Sequence, residues 1–381
     1  MANKKQQTKS NTGDYSVIGQ KFSAFTLPEV KEIRGKEYVY YGEHNLFPQH
    51  LIELYNTSAM HHTAVQAIKD GITGDGIKIV GDEVVNTKGQ TINEIFELIS
   101  LDYTLFNGYS LNIIWNREGT RIAEIYHLPF NNVRSGKMDE DDEVSEYFYS
   151  SDWSKVRKNK PKAYRSYSPT DNKRDNASQI YYCYTYTPGN DFYPLPSYVA
   201  SVNDIELDGR VSKFHNANIS NGLAPSMFIK FRNGIPEEEE RRVVYKEIED
   251  TFTGEENAGR FFLSFSDPGK EMEVEPIDNA NDDYYITLEQ RISSRILTAH
   301  RITSPLLLGI KDAAGFSNNA DEIKTAYTHF ESTVVEPKRK KVLSSFGYIL
   351  KSSGYNVGLE VEPKRLVIEE TTVNESETKQ Q

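Results

Sequence analysis

Cysteine and long apolar runs are both scarce in this chain of 381 residues. The single cysteine, Cys183, excludes an intrachain disulfide and every zinc site that needs several cysteines. Apolar runs such as 306–308 fall far short of the roughly 20 apolar residues that cross a bilayer, so we expect no membrane span. The polar, basic residues 1–7 are followed by no apolar segment, which does not fit a secretory signal.

Positive charge is also in deficit. The chain has 44 Lys and Arg residues against 56 Asp and Glu residues, which gives a formal net charge of −12. A protein that holds DNA mainly through a large basic surface is therefore not expected. The short basic run 338–341 covers about one helical turn, so we interpret it as a solvated or intersubunit face.

Motifs that carry chemistry are missing. No Gly-x-x-x-x-Gly-Lys-Ser/Thr motif is present, which excludes a P-loop ATPase, and no His-Glu-x-x-His motif is present. His61 and His62 are adjacent, so on a helix they point about 100° apart and cannot share one metal face. His300 and His329 fall on predicted helices, where we interpret them as packing or interface residues. We predict no catalytic residue, no metal site and no cofactor.

The segment 136–176 is strongly charged and separates its two signs. The acidic run 139–143 would need carboxylates converging from several elements to hold metals, so we interpret it as a solvated loop. The basic part after it, 155–174, has Trp153, Tyr164 and Tyr167 in or beside it. That pattern has two interpretations, a nucleic-acid patch or a flexible charged loop, and the polar composition favours the loop.

Hydrophobic spacing predicts an α+β protein with long helices and short strands. Apolar positions favour helices over 48–59, 64–72, 92–105, 197–219, 236–252 and 283–301, and a long helix from about 319. Strands are predicted over 109–115, 122–128, 181–187, 226–231, 260–265 and 271–277. Pro337 must kink or interrupt the last helix because it lacks an amide proton. The residues alone indicate a non-enzymatic assembly protein.

Several segments, in their order along the chain, resemble the portal proteins of tailed bacteriophages. The resemblance covers residues 38–350 and depends on the order and spacing of its parts rather than on one motif. The segments that carry it are 41–48, 58, 74–76, 216–225, 254–263, 291–292, 302–309 and 317–319, the last of which opens the long helix that contains Pro337.

The resemblance implies a ring of about twelve copies at one capsid vertex. Double-stranded DNA would pass through its centre during packaging and ejection, driven by a separate terminase ATPase, which agrees with the missing P-loop. Implied partners are other copies of the chain, duplex DNA, the terminase large subunit, the major capsid protein, a scaffold and a head–tail adaptor. The implied locations are the portal vertex of the virion and, during assembly, the host cytoplasm.

The parts of a portal map onto this sequence in order. They are a flexible arm (1–36), a wing (37–235, with the charged loop 136–176), a stem helix (236–253), a clip (254–282), a second stem helix (283–302), a tunnel loop (303–319), a long kinked wing helix (320–353) and a short C-terminal segment with a disordered tail (354–381). Because little chain follows 354, we expect no large crown.

Two sets of residues become candidates for function through this mapping. In the tunnel loop, the residues expected to touch DNA transiently are Lys311, Asp312, Phe316, Ser317, Asn318 and Asn319. In the clip, Phe261, Phe262 and Phe265 are expected to pair with a neighbouring subunit, and the alternative is a small intrachain hairpin. Two other functions stay open here, a different ring-forming head–tail adaptor and a metal-dependent nucleic-acid enzyme.

Overall fold

The computed structural model describes residues 27–169, 177–220, 227–231, 238–240, 242–243, 261–265, 282–310, 320–355 and 358–364. Helices and strands are mixed in these residues, which confirms the α+β class. None of the helices in these ranges is long and apolar enough to cross a membrane.

The helices lie close to the predicted positions. They are α1 (Phe47–Thr57), α2 (Ala59–Thr73), α3 (Ile92–Phe106), α4 (Val202–Ser220), α5 (Asp282–Ala299), α6 (Ala320–Phe330) and α7 (Glu336–Ser352). The strands are β1 (Val30–Glu32), β2 (Val39–Tyr41), β3 (Gly108–Trp115), β4 (Ile122–Leu128), β5 (Val133–Ser135), β6 (Glu146–Tyr149), β7 (Lys162–Ser166), β8 (Ser178–Tyr184), β9 (Met227–Phe231) and β10 (Phe261–Phe265).

Six of the described strands form one sheet in the order β4-β3-β8-β7-β6-β5. All neighbours are antiparallel except β7 and β8, which run parallel. The predicted strands over 109–115 and 122–128 are confirmed as β3 and β4. The strand predicted over 181–187 ends at Tyr184, and Tyr186 beyond it has 72% of its surface exposed.

The prediction of one charged loop over 136–176 is wrong for two parts of it, because β6 and β7 join this sheet. Tyr147 and Phe148 in β6 are buried, and the indole of Trp153 donates to the carbonyl of Asn132 at 3.0 Å. Lysines and arginines at exposed positions hid this apolar side from the sequence pattern. The acidic run is an exposed turn, as expected, in which Asp139 accepts from the amides of two residues that follow it.

The N-terminal arm is also shorter than predicted. Residues 30–32 form β1, which pairs antiparallel with β2 through Val30 and Tyr41. Residues 1–26 lie outside the described residues, as does the predicted tail from 369. The two strands satisfy each other's backbone groups, which a mobile arm would leave to water.

Helices cover the sheet through two hydrophobic clusters. In the first cluster, α2, α3 and α7 pack on β3 through side chains such as Ile68, Ile99 and Phe346, all of which are buried. The second cluster joins α1, α4 and α5 to β2. A capping box between Thr91 and Glu94 fixes where α3 begins. The first cluster therefore joins the sheet to α7, and the second joins β2 to α5.

Arg134 in β5 is fully buried, and the described residues provide no carboxylate to it. All three guanidinium nitrogens donate instead to neutral oxygens at 2.6–3.2 Å, namely Asn45 Oδ1, Asn45 O, Asn131 O, Val133 O and Gln49 Oε1. The ring of Trp153 lies 4.8 Å from the guanidinium carbon, which adds a cation–π contact. Burial lowers the pKa of Arg134 to about 10, so it remains charged at neutral pH.

We expect Arg134→Ala to lower the free energy of unfolding by about 3–5 kcal/mol, because five hydrogen bonds to buried or partly buried oxygens are lost together. Arg134→Lys should recover only part of the loss, since an ammonium has fewer donors in a different geometry. Urea unfolding followed by tryptophan fluorescence measures both. Arg121→Ala, at an exposed position, is the control, and a loss below about 1 kcal/mol for Arg134→Ala would contradict this role.

Candidate channel and assembly site

Two antiparallel helices, α4 and α5, lie side by side. Arg295 of α5 and Asp204 of α4 form an ion pair at 3.2 Å, and Ile205 and Ile292 are buried between the helices. The helix predicted over 283–301 is confirmed as α5, and its assignment to a stem stays a prediction. Of the other predicted stem helix, the structure describes only the helical residues 238–240 and 242–243.

The predicted clip contains one described strand, β10, and its partner is β9. The two strands run parallel, with Phe261 opposite Met227 and Phe265 opposite Phe231. The second predicted clip strand, 271–277, lies outside the described residues, so the hairpin alternative has no test here. The intersubunit role of Phe261, Phe262 and Phe265 stays a prediction.

The base of the predicted tunnel loop is a short 3₁₀ helix, Pro305–Leu308. Ser304 caps it by accepting from the amide of Leu306 at 3.3 Å, and Leu307 and Leu308 pack against the first hydrophobic cluster. The candidate DNA contacts of this loop, residues 311–319, lie outside the described residues. The structure therefore gives the anchor of the loop, and its DNA-contact residues stay predicted.

The long helix is interrupted at the predicted position. A π-helical turn, Glu331–Val335, separates α6 from α7, and the amide of Glu336 donates to the carbonyl of Glu331, five residues earlier. Pro337 lies in the first turn of α7, where its missing amide proton costs little. A π turn holds one residue more than an α-helical turn. Because of this extra residue, Pro337 lies in the first turn of α7 and not inside one continuous α-helix, where its missing amide proton would leave a carbonyl without a partner.

Arg339 in α7 binds the C-terminal end of α2. Its guanidinium donates to the carbonyls of Ile72, at 3.1 Å, and Gly71, and it forms an ion pair with Glu331 at 2.7 Å. The last carbonyls of a helix lack partners within the helix and carry partial negative charge, so they suit a cation. We call these contacts the Arg339 clamp.

The basic run 338–341, expected to be a solvated or intersubunit face, divides into four environments. The prediction is wrong for Arg339, which is buried in the clamp. Lys340 pairs with Glu336 at 2.7 Å on the surface, and Lys341 is exposed. Lys338 is half-buried and lies 3.5 Å from the hydroxyl of Ser197. Successive helical residues point about 100° apart, so one short run reaches several neighbours.

His61 and His300 form a buried pair between α2 and the end of α5. Their ring atoms Nδ1 and Nε2 are 2.9 Å apart, and the ring of Tyr198 packs against both. Burial lowers the pKa of His61 to about 3 and holds the pKa of His300 well below its ordinary value, so both rings are neutral. The structure places His300 in packing, as predicted. In the described ranges, no three His, Cys, Asp or Glu residues group as metal ligands.

The C-terminal segment returns to the sheet-covering helices, which the sequence pattern did not indicate. The amide of Asp75 donates to the carbonyl of Glu362 at 2.9 Å, and Val361 bridges to Ile77. Tyr327 of α6 donates its hydroxyl proton to the carbonyl of Lys364. These contacts join residues that are far apart in the sequence. The hydrophobic side chains of Leu359 and Val361, which pack against the first cluster, were the only sign in the sequence that this segment is held to the core.

Comparison with known families decides what kind of protein this is. A family model described as phage portal protein matches residues 85–340, which run from before α3 into α7. The chain belongs to the phage portal protein family. Portal proteins are structural proteins and not enzymes, which confirms the expectation of a non-enzymatic protein and disfavours the nuclease alternative.

Two solved structures with TM-scores above 0.5 show the same fold at low sequence identity. A chain of the virion of a native gene transfer agent (GTA) particle is 18% identical, covers 84% of each chain and has a TM-score of 0.54. A chain of the neck of a native GTA particle computed with C12 symmetry is 19% identical, covers 83% of this chain and 84% of that one, and has a TM-score of 0.52. An HK97-family phage portal protein from Corynebacterium diphtheriae is 12% identical, covers 82% of this chain and 94% of that one, with a TM-score of 0.45.

One curated relative also matches. An uncharacterized protein of Rickettsia bellii (strain RML369-C) is 28% identical over 144 residues, which is 37% of this chain and 36% of the relative. The match thus spans about a third of the relative's length.

The contact between α2 and the π turn predicts a coupled pair of substitutions. A Cβ atom at Gly71 would lie 2.8 Å from Cγ2 of Val335, so Gly71→Ala should cost about 1–3 kcal/mol of unfolding free energy through overpacking. Adding Val335→Ala should remove the clash, making the double variant more stable than the sum of the two losses by at least about 0.5 kcal/mol. Equilibrium denaturation of the single and double variants measures the coupling.

The matched control replaces the neighbouring buried residue, Val334, which lies outside the three nearest contacts of Gly71. Gly71→Ala and Val334→Ala should add within about 0.5 kcal/mol. Equal coupling for both valines would show that the close approach is not specific to Val335.

Proposed function

We propose that this portal protein forms a ring of about twelve copies at one capsid vertex, through which double-stranded DNA is packaged and later ejected. The observation that carries the proposal is the family match over residues 85–340. The fold likeness to a chain in a GTA neck computed with C12 symmetry supports the ring, although that symmetry belongs to the GTA particle. The proposed locations are the virion vertex and, before assembly, the host cytoplasm.

A ring requires two different complementary surfaces on every subunit. Head-to-tail contacts close into a ring only when one surface of a copy fits another surface of the next. The clip strand β10 and its partner β9, which precedes the clip, are each paired along one edge in this chain. We propose that strand edges in this region, with Phe261, Phe262 and Phe265, add to the neighbouring subunit.

The tunnel loop is the proposed place of DNA contact. Its N-terminal base is fixed by Ser304 and by the packing of Leu307 and Leu308. On its other side the chain enters α6, whose far end meets the Arg339 clamp. A loop anchored at both ends on a rigid core can hold Lys311 and its neighbours against passing DNA without tight binding.

The net charge of −12 fits a conduit better than a tight DNA binder. Extensive phosphate contacts would hold the DNA strongly and slow its passage. Movement of DNA needs an ATPase that this chain lacks, so we propose that the terminase large subunit docks on the ring and that a head–tail adaptor replaces it. The major capsid protein and a scaffold complete the proposed partners.

Native mass spectrometry of the purified chain, with negative-stain images of the same sample, tests the ring. We expect closed rings of about twelve subunits with a central hole wider than duplex DNA, which is about 20 Å across. A stable dimer or another small oligomer at micromolar concentration would contradict the proposal.

The DNA-contact role of the tunnel loop has a separate test. We expect Lys311→Glu with Asn318→Asp, or deletion of 313–316, to reduce the DNA packaged per particle at least severalfold while ring formation is unchanged. The reason is that charge of the wrong sign, or a shorter loop, removes the transient phosphate contacts. Lys351→Glu, on exposed α7 surface, makes the same lysine-to-glutamate change away from the loop and is the control. Normal packaging by both loop variants would show that the loop does not act on DNA.

A further inference from the structure

Lys338 at the start of α7 lies close to Arg301, which follows α5, and to Ser197, which precedes α4, and we call the surroundings of these three residues the recess. The ammonium nitrogen of Lys338 is 3.5 Å from Ser197 Oγ and 5.6 Å from the ring centroid of Tyr103 in α3. Arg301 comes shortly after the end of α5 and is exposed. Its positive charge acts on Lys338, and the positive charge of Lys338 acts on His300. A half-buried cation and an exposed cation are therefore close enough to repel each other.

No carboxylate of the described residues pairs with either cation of this recess. The next two residues of α7 differ in this respect, because Arg339 has Glu331 and Lys340 has Glu336, each at 2.7 Å. Burial and the adjacent Arg301 lower the pKa of Lys338 to about 8. Partial burial of one cation beside a second cation is destabilising, and an anion that contacts both would relieve that cost.

The backbone at Arg301 also carries a cost. Its φ angle is 59°, in the left-handed region, and it ends α5 in the position where the next amide, that of Ile302, donates back to Leu297 at 2.9 Å. Glycine usually occupies this position because a side chain there costs roughly 1 kcal/mol. An arginine thus occupies this position despite a backbone penalty.

We propose that the recess of Lys338, Arg301 and Ser197 receives an Asp or Glu carboxylate from a neighbouring copy of this chain. The inference rests on the proposed ring and names one of its two contact surfaces. A carboxylate fits the donors present, two cations and a hydroxyl, and can accept from all three.

A protein carboxylate suits this recess better than a DNA phosphate. Lys338 is half-buried, and its ammonium lies near Ser197 and Tyr103, so a single side chain approaches it more readily than the broad backbone of a duplex. The chain also has 12 more acidic than basic residues, so a second copy brings surplus carboxylates. A head-to-tail interface joins two different surfaces, which allows a cationic recess on one face to meet an acidic side chain on the other.

Pairing predicts that ring assembly depends on pH in a defined direction. In the free subunit the pKa of Lys338 is about 8, and a bound carboxylate would raise it. Above pH 8, Lys338 then binds a proton when two subunits associate. Below pH 8 it is already protonated, so the affinity between subunits should be constant there. It should fall by up to tenfold per pH unit above pH 8 until the raised pKa is reached. His300, His61 and Tyr103, which face or adjoin Lys338, do not titrate between pH 7 and 9, since both histidines are neutral and the pKa of Tyr103 is raised.

Three variants test the proposal in the full-length chain. Lys338→Gln should weaken subunit affinity at least tenfold at pH 7, measured by native mass spectrometry over a concentration series. Lys338→Arg should assemble and lose the pH dependence between 8 and 10, because arginine stays charged. Lys340→Gln, which removes an exposed, already paired lysine of the same helix, should assemble like the unmodified chain. Denaturation of each monomer checks that the fold is kept.

A zero-length carbodiimide cross-link identifies the partner. Rings are assembled from equal amounts of ¹⁴N- and ¹⁵N-labelled chains, and coupling of Lys338 to a carboxylate should give peptides of mixed label. The Lys340–Glu336 pair should couple within one chain and serves as the internal control. Rings that form equally well with Lys338→Gln, or Lys338 cross-links of unmixed label only, would overturn the recess proposal alone. Absence of rings from the unmodified chain would overturn the proposed function with it.

Discussion

The Arg339 clamp is the contact on which the arrangement of the C-terminal half depends. The guanidinium of Arg339 in α7 contacts the carbonyl end of α2 and the π turn. It therefore fixes α2, which packs on the sheet, against the long interrupted helix that follows the tunnel loop. The ends of α2 and α7 would otherwise meet through apolar contacts alone, which fix distance better than orientation. A buried cation held by two carbonyls and a carboxylate defines one rotation of α7, and this rotation decides which of its lysines meet solvent.

Sequence periodicity correctly predicted the elements that bury one face against the rest of the protein and expose the other. The helical spacing of Ile92, Ile95 and Ile99 matches α3 within a residue, because one face of that helix packs on β3. The helix predicted over 48–59 instead ends at Thr57, since Ser58 leaves helical geometry to cap α2 and to donate to Asp208 in α4. The two residues of that hydrogen bond are 150 positions apart, so a pattern read from a short stretch of sequence cannot reveal it.

Elements set by distant partners were missed or placed wrongly. Strand β7 reads as a basic loop because Lys162 and Arg165 dominate its composition, and its membership in the sheet comes from β6 and β8 on either side. The segment ending at Lys364 pairs with residues 75–78 almost 300 positions earlier. For the candidate site, the sequence located the interruption at Pro337 from backbone chemistry alone. Helical geometry implies that the side chains of 338–341 point in different directions, but the sequence does not show that Arg339 alone among them is buried.

The π turn before Pro337 also constrains which insertions and deletions this gene can tolerate. Loss of one codon within 331–335 would restore regular α-helical bonding there and rotate α6 by about 100° relative to α7. It would equally carry Pro337 from a first turn into the interior of one continuous helix, where its ring clashes with a preceding carbonyl. The extra residue thus keeps Pro337 in a first turn, and a chain that lost this residue would be stabilised by losing the proline as well.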